Sequence, residues 1–236
     1  GPTVRATITA TFGAWKRGLL LYPGALHAGE VFLVDIGIPL PFMLERTAAA
    51  LLESADIAPL FPPRAPNAHK GVYGHLLVVA GSVGKSGAAA MAGRAAFRSG
   101  AGLVTIATPL SQQPIVAAMQ METMTEPLPE TVAGSLALKA KDRIFELVSR
   151  SDAVALGPGC SLEPETQSLI REMVRDVERP MVIDADGLTA LVDHLERVRR
   201  ERTPKADVTV TNLLSSAELW SLDGPFAWEV TSTLLG

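Results

Sequence analysis

His75-Leu76-Leu77-Val78-Val79-Ala80-Gly81-Ser82-Val83-Gly84-Lys85-Ser86-Gly87-Ala88-Ala89-Ala90 runs from an apolar stretch through glycine into an alanine-rich segment. Leu76–Ala80 has no polar alternation, which is the pattern of a strand covered on both faces, as in a parallel sheet. Ser86–Ser99 predicts a helix of mostly Ala and Gly, with Arg94 and Arg98 on its single wet stripe. So many small residues let a helix lie close to a sheet. The passage therefore reads as one β–loop–α step of an α/β fold.

The same step recurs downstream. Leu103–Ala107 (LVTIA) and Ala153–Leu156 are further strands, the second ending in Gly157-Pro158-Gly159. The helix after it has Pro164 near its start and Glu163 and Glu165 in its first turn, where acidic residues complement the helix dipole. Leu169, Met173 and Val177 follow at spacings of four. Met181–Asp184 (MVID) is another strand. Leu188, Leu191, Val192, Leu195 and Val198 form a helical stripe, and Val208–Thr211 is the last clear strand. Alternation with short loops predicts a mainly parallel sheet with helices on both faces.

Ahead of this lie a short front and a linker. Val4–Phe12 and Glu30–Ile38 read as two strands around the turn Tyr22-Pro23-Gly24. Residues 43–57 carry a helical period, and Pro62, Pro63 and Pro66 end it. The predicted boundaries are 1–42, a helix and Pro-rich linker over 43–66, and a main domain over 67–236. A 42-residue front is too short to bury its own core.

Composition bounds the function classes. With 21 basic against 25 acidic residues, nothing in the charge favours nucleic acid or an anionic membrane as partner. One cysteine excludes an intrachain disulfide and fits a reducing compartment. No run approaches the roughly 20 apolar residues that span a bilayer, and Gly1-Pro2-Thr3-Val4-Arg5 lacks the layout of a signal peptide. A cytoplasmic protein is expected.

Ligands of open α/β sheets bind at the carboxyl ends of the strands, which nominates three loops. Ala80–Ala88 (AGSVGKSGA) contains Gly84-Lys85-Ser86. It fails the P-loop pattern at Val79 and the dinucleotide pattern at Val83, so it reads equally as a ligand loop or a tight β–α turn. Gly157-Pro158-Gly159 alone is ordinary turn material, and Cys160 beside it reads as a buried filler. Asp184-Ala185-Asp186-Gly187 offers two carboxylates after an apolar strand, one expected to cap the next helix and the other to face the cleft. His27, His69, His75 and His194 show no metal-ligand spacing, although His69 and His75 flank the first strand of the main domain.

Longer blocks carry a resemblance. Pro62-Pro63-Arg64, His69-Lys70-Gly71, Gly74-His75 and Val78-Val79-Ala80-Gly81-Ser82 resemble the opening of NAD(P)H-hydrate dehydratases. Ser86-Gly87-Ala88-Ala89, then Arg98-Ser99-Gly100-Ala101-Gly102-Leu103-Val104-Thr105 and Ala107-Thr108-Pro109, continue the match. Leu156-Gly157-Pro158-Gly159 and Asp184-Ala185-Asp186-Gly187-Leu188 follow in the family's order. The front, through Thr11-Phe12-Gly13, Tyr22-Pro23-Gly24 and Asp35-Ile36-Gly37-Ile38-Pro39, looks like the end of the epimerase domain that precedes the dehydratase in bifunctional repair enzymes.

The resemblance implies a ribokinase-like three-layer sandwich, preceded by a fragment of an α/β epimerase domain. It implies repair of hydrated NADH or NADPH, with ADP or ATP and Mg²⁺ as co-reactants. Ala88, Gly157 and Gly159 would bind the hydrated substrate, and Asp184 and Asp186 would lie near the phosphates. Small nucleotides would be its partners, and a homo-oligomer is expected. Two departures stand against full activity. Thr211 is followed by Asn212-Leu213-Leu214 where the family has Pro-His, and the 236 residues hold neither the family's lysine-glycine nucleotide loop nor its Gly-Thr-Gly-Asp motif with the catalytic aspartate. Weak or no dehydratase activity is therefore expected of this chain alone, with no catalytic residue assigned. A ribokinase-like small-molecule kinase and a non-catalytic nucleotide-binding remnant are the alternatives. The dehydratase reading fails if the corners at Ala88 and Gly159 lie on opposite sides of the molecule and share no cavity.

Overall fold

The computed structural model describes residues 3–39, 41–42, 51–192, 209–212 and 220–223. The chain divides into two compact units, Gly1–Pro63 and Arg64–Gly236.

In the first unit, β1 (Ile8–Phe12) and β2 (Glu30–Val34) are joined through α1 (Arg17–Leu20) and α2 (Ala25–Ala28). The strands are parallel, with Ile8 opposite Glu30 and Phe12 opposite Val34. Both are shorter than the expected Val4–Phe12 and Glu30–Ile38, and the turn at Tyr22-Pro23-Gly24 is part of a helical crossover. Parallel strands need such a connection, because a tight turn reverses direction. Thr9 Oγ1 donates to Ala28 O, so the helices cover the face carrying Thr9 and Thr11. The other face, with Ile8, Phe12, Phe32 and Val34, is exposed.

The helix expected over 43–57 is interrupted, and its residues 43–50 lie outside the described ones. Residues 51–53 are not helical, and a new helix, α3 (Ser54–Ile57), starts after Glu53. Glu53 has extended backbone, and its side chain and that of Asp56 form a reciprocal capping box, which starts a helix rather than continuing one.

The second unit is built on five parallel strands in the order β5-β4-β3-β6-β7. They are β3 (His75–Val79), β4 (Leu103–Pro109), β5 (Met124–Leu128), β6 (Ala153–Leu156) and β7 (Met181–Ile183). The helices are α4 (Ser86–Arg98), α5 (Gln113–Met119), α6 (Lys141–Ser149) and α7 (Pro164–Asp176), with α8 described over 186–192. Period-two alternation in β3 splits the core. Leu77 and Val79 pack with Ile144, Leu169, Ile170 and Met173, whereas Val78 and Ala80 pack with Ala89, Ile106 and Val116. Helices thus cover both faces, giving the expected three layers around a parallel sheet. Met91, Arg94, Ala95 and Arg98 form the exposed stripe of α4, wider by Met91 and Ala95 than the two arginines alone.

Within the layers of the five-stranded sheet, α5, β5 and α6 were absent from the sequence reading. β5 reads MTEPL, and neither Glu126 nor Pro127 suggests a strand. Proline is tolerated there because β5 is the sheet edge. Of the stripe expected from Leu188 to Val198, residues 193–198 lie outside the described ones. The strand expected over Val208–Thr211 is β8 (Thr209–Asn212), Val208 lying outside the described residues. It pairs antiparallel with β9 (Trp220–Asp223) in a separate sheet. Only seven residues separate the two strands, too few for the crossover that parallel pairing needs.

Candidate functional site

The three nominated loops converge at the carboxyl ends of β3, β6 and β7. β3 and β6 are neighbours, yet the chain leaves β3 toward α4 on one face and leaves β6 toward α7 on the other. Diverging exits open a crevice at such a point. The backbone ties its walls together: Gly81 N donates to Pro158 O at 2.9 Å, and Gly157 N donates to Val79 O at 3.1 Å. Ser82 Oγ, buried, donates to Gly159 O at 2.8 Å.

Ala88 and Gly159 meet. A side-chain carbon at Gly159 would stand 3.1 Å from Ala88 Cβ and 2.9 Å from Lys85 Cβ, and its φ of 67° is itself suited to glycine. Gly157, at φ 116°, is committed to packing, since a side-chain carbon there would come within 2.1 Å of Asp184 O. Among the described residues the two non-glycine residues at positive φ, Ser161 (80°) and Ala185 (48°), are both on this rim. Strained backbone of this kind clusters where a ligand is held.

The two aspartates divide their roles differently from the expected cap and cleft pair. Asp186 Oδ2 accepts from Ser161 N and from Lys85 Nζ, each at 2.8 Å, so it bridges all three loops and caps nothing. Asp184 is exposed, and its carboxylate makes no hydrogen bond or ion pair among the described residues. The Lys85–Asp186 pair spans 101 positions, and no local pattern announces it.

Cys160 is the buried filler it was expected to be. Burial pushes its thiol up to about 12, so it is no nucleophile at neutral pH. Beneath the first loop, Val83 N donates to Gly134 O, and the turn around Gly134 is braced by a buried hydroxyl chain from Thr166 to Ser135 and Thr131. This support was not singled out from sequence, because isolated Ser and Thr carry no periodicity. Thr108 at the end of β4 has a fully buried hydroxyl without a hydrogen-bond partner among the described residues, facing Gly81.

His75 does not join the site. It opens β3 at the amino end of the sheet, with Nε2 2.8 Å from Thr105 Oγ1 and Nδ1 3.2 Å from Arg150 O. His69 lies against Gly71 at the same end of the strand. Among the described residues no helix is long and apolar enough to cross a membrane.

Comparison with known proteins places this geometry. The family model described as NAD(P)H-hydrate dehydratase matches residues 76–211, more than half of the chain. The bifunctional NAD(P)H-hydrate repair enzyme Nnr of Moorella thermoacetica is 43% identical over 192 residues, covering 81% of this chain and 36% of that protein. Its counterpart in Thermofilum pendens is 40% identical over 204 residues, covering 86% and 38%. The ADP/ATP-dependent NAD(P)H-hydrate dehydratase from Bacillus subtilis, co-crystallized with ATP/Mg2+, superposes with a TM-score of 0.44 at 26% identity, over 57% of this chain and 45% of its own. The chain thus spans well under half the length of the curated relatives it matches. From the β3 strand through β8, this chain belongs to the NAD(P)H-hydrate dehydratase family.

Proposed function

We propose that the three-loop crevice binds the hydrated form of NADH or NADPH for ADP- or ATP-dependent dehydration back to the intact cofactor. The observation that carries this reading is the abutment of Ala88 and Gly159 at the β3/β6 exit, where the corners expected to grip the substrate form one surface. Hydroxide is a poor leaving group. Phosphorylating the ring hydroxyl of the hydrate makes it a good one, so the reaction needs a nucleotide, a cation and a base near that hydroxyl. Ala88, Gly157 and Gly159 are the proposed substrate contacts. Asp184 is the proposed Mg²⁺ contact, with Asp186 in the phosphate vicinity. The base has no candidate here, since these residues include no Gly-Thr-Gly-Asp.

We further propose that residues 1–42 are the last part of an epimerase domain, 43–66 a linker and 67–236 the dehydratase part. Matches to the bifunctional relatives cover 81% and 86% of the chain, a span that the second unit alone is too short to supply. Cytoplasmic location and self-association belong to the same proposal.

Melting the chain with and without ligand tests it. NADPH hydrate should raise the melting temperature, while turnover with ADP or ATP and Mg²⁺ should stay below about 1 s⁻¹, the lower edge of ordinary enzyme rates. Protection by pyridoxal or hydroxyethylthiazole in place of the hydrate would reassign the crevice to a small-molecule kinase. A folded chain that no nucleotide protects would leave a remnant without the repair function.

A further inference from the structure

We infer that Lys85 is an exchangeable phosphate latch, held by Asp186 in the free protein and transferred to a phosphate of the dinucleotide when ligand occupies the Ala88/Gly159 corner. The inference rests on the function proposed above and names the residue that would read the ligand's charge. Three observations carry it. The Lys85 stem crosses the corner itself, because its Cβ would lie 2.9 Å from a side-chain carbon on Gly159. The ammonium ends on Asp186 Oδ2 at 2.8 Å, which also accepts from Ser161 N, so the loop that carries Gly159 already has an anionic oxygen two residues on. The lysine end of the pair is open to solvent, its side chain 47% exposed against 19% for the aspartate. An ion pair whose cation reaches solvent can exchange that cation without opening the loops around the anion.

The two partners are anchored unequally. Asp186 stays tied through the same oxygen to Ser161 N, whereas Lys85 has a flexible four-carbon stem and no other hydrogen bond from its ammonium among the described residues. On ligand entry the lysine moves and the aspartate stays. The dinucleotide's pyrophosphate bridge carries two negative charges and four unbridged oxygens against the single charge and two oxygens of the carboxylate it displaces. Asp186 is then a competitor for Lys85, and its negative charge opposes anionic ligands.

Competition predicts opposite signs for the two partners, which a static clasp does not. Calorimetric titration of the 236-residue chain would use NADPH, with 1,4-dihydronicotinamide riboside as the phosphate-free probe. Lys85→Met keeps the apolar stem over Gly159 and should weaken NADPH about tenfold while leaving the riboside unchanged. Asp186→Asn keeps an acceptor for Ser161 N and should tighten NADPH about threefold. Lys85→Arg should stay within about threefold of the parent chain, which keeps the test open if the methionine variant does not fold. The latch is overturned if both neutral variants weaken NADPH and the riboside alike, as for a structural clasp, or if Lys85→Met leaves NADPH binding unchanged. A parent chain that binds neither probe overturns the repair reading together with the latch. A parent chain that binds both, with no effect of Lys85→Met, overturns the latch alone.

Discussion

Gly157 and Gly87 show how little a residue's identity says without its surroundings. Both lie in stretches that resemble the dehydratase family, Gly87 in Ser86-Gly87-Ala88-Ala89 and Gly157 in Leu156-Gly157-Pro158-Gly159. Gly157 has φ 116°, and a side-chain carbon there would meet Asp184 O at 2.1 Å and Gly187 N at 2.7 Å, all rigid backbone. Gly87 is in the first turn of α4 with nothing within 4 Å of such a carbon. Gly157→Ala should therefore cost about 2–4 kcal/mol and spread the β6 and β7 loops apart. Gly87→Ala should stabilise by about 0.5–1 kcal/mol, because alanine loses less backbone entropy in a helix. Chemical denaturation of the two variants checks both signs. Equal destabilisation would mean that the β6–β7 packing is looser than described. At this scale the sequence made the glycines visible as loop openers. It could not separate the one that packs from the one that is free, because the atoms that matter to Gly157 come from a loop about 30 residues later. The Lys85–Asp186 bridge was hidden for the same reason. Its lysine drew notice only as part of a failed P-loop pattern.

At the scale of elements, β3, β4, β6, β7, α4 and α7 were legible because each has one periodicity from end to end. β5 and α6 were not, because polar residues on their surfaces break the pattern. One of them, Lys141, joins a charged seam between α6 and α7. Lys141 Nζ, from α6, donates to Glu172 Oε2 at 2.6 Å and to Asp176 Oδ2 at 3.2 Å on α7, and Arg175 pairs with Asp176 at 2.7 and 2.9 Å. The Arg175 guanidinium, and after it the Lys141 ammonium, hold the Asp176 carboxyl down at about 2. Its folded pKa lies below its unfolded one near 3.8, so the pair stabilises above about 4 and is lost as pH falls toward about 2. Asp176→Asn should therefore melt slightly below the parent chain at neutral pH, and the two melting curves should converge as pH drops through that window. A gap that persists unchanged at pH 2 would assign the effect to the helix end and not to charge. The seam is exposed, so the gap should be small.

Across the whole molecule the two units differ in how their sheets are covered. The five-stranded sheet has helices on both faces, whereas among the described residues the β1–β2 ribbon has them on one. On its open face Ile8 is 62% exposed, Phe12 55% and Phe32 47%, with Val34 beside them, and both outer strand edges are unpaired among the described residues. Parallel sheets are normally buried on both sides, and a two-stranded ribbon does not stand alone in water. The alternation that made Glu30–Ile38 look like a strand was legible in the sequence. That its apolar side would stand uncovered among the described residues was not, because a periodic pattern names a face without naming its partner. Such a patch favours association with another copy. Light scattering across a concentration series should show the 236-residue chain assembling, and Phe12→Ser combined with Phe32→Ser should shift it toward monomer. Both substitutions lie in the first unit and the crevice residues in the second, so NADPH binding by the double variant should equal that of the parent chain. Assembly that the double variant leaves intact would mean that the contact is made elsewhere. A parent chain that stays monomeric throughout would mean that the exposed ribbon face does not drive association.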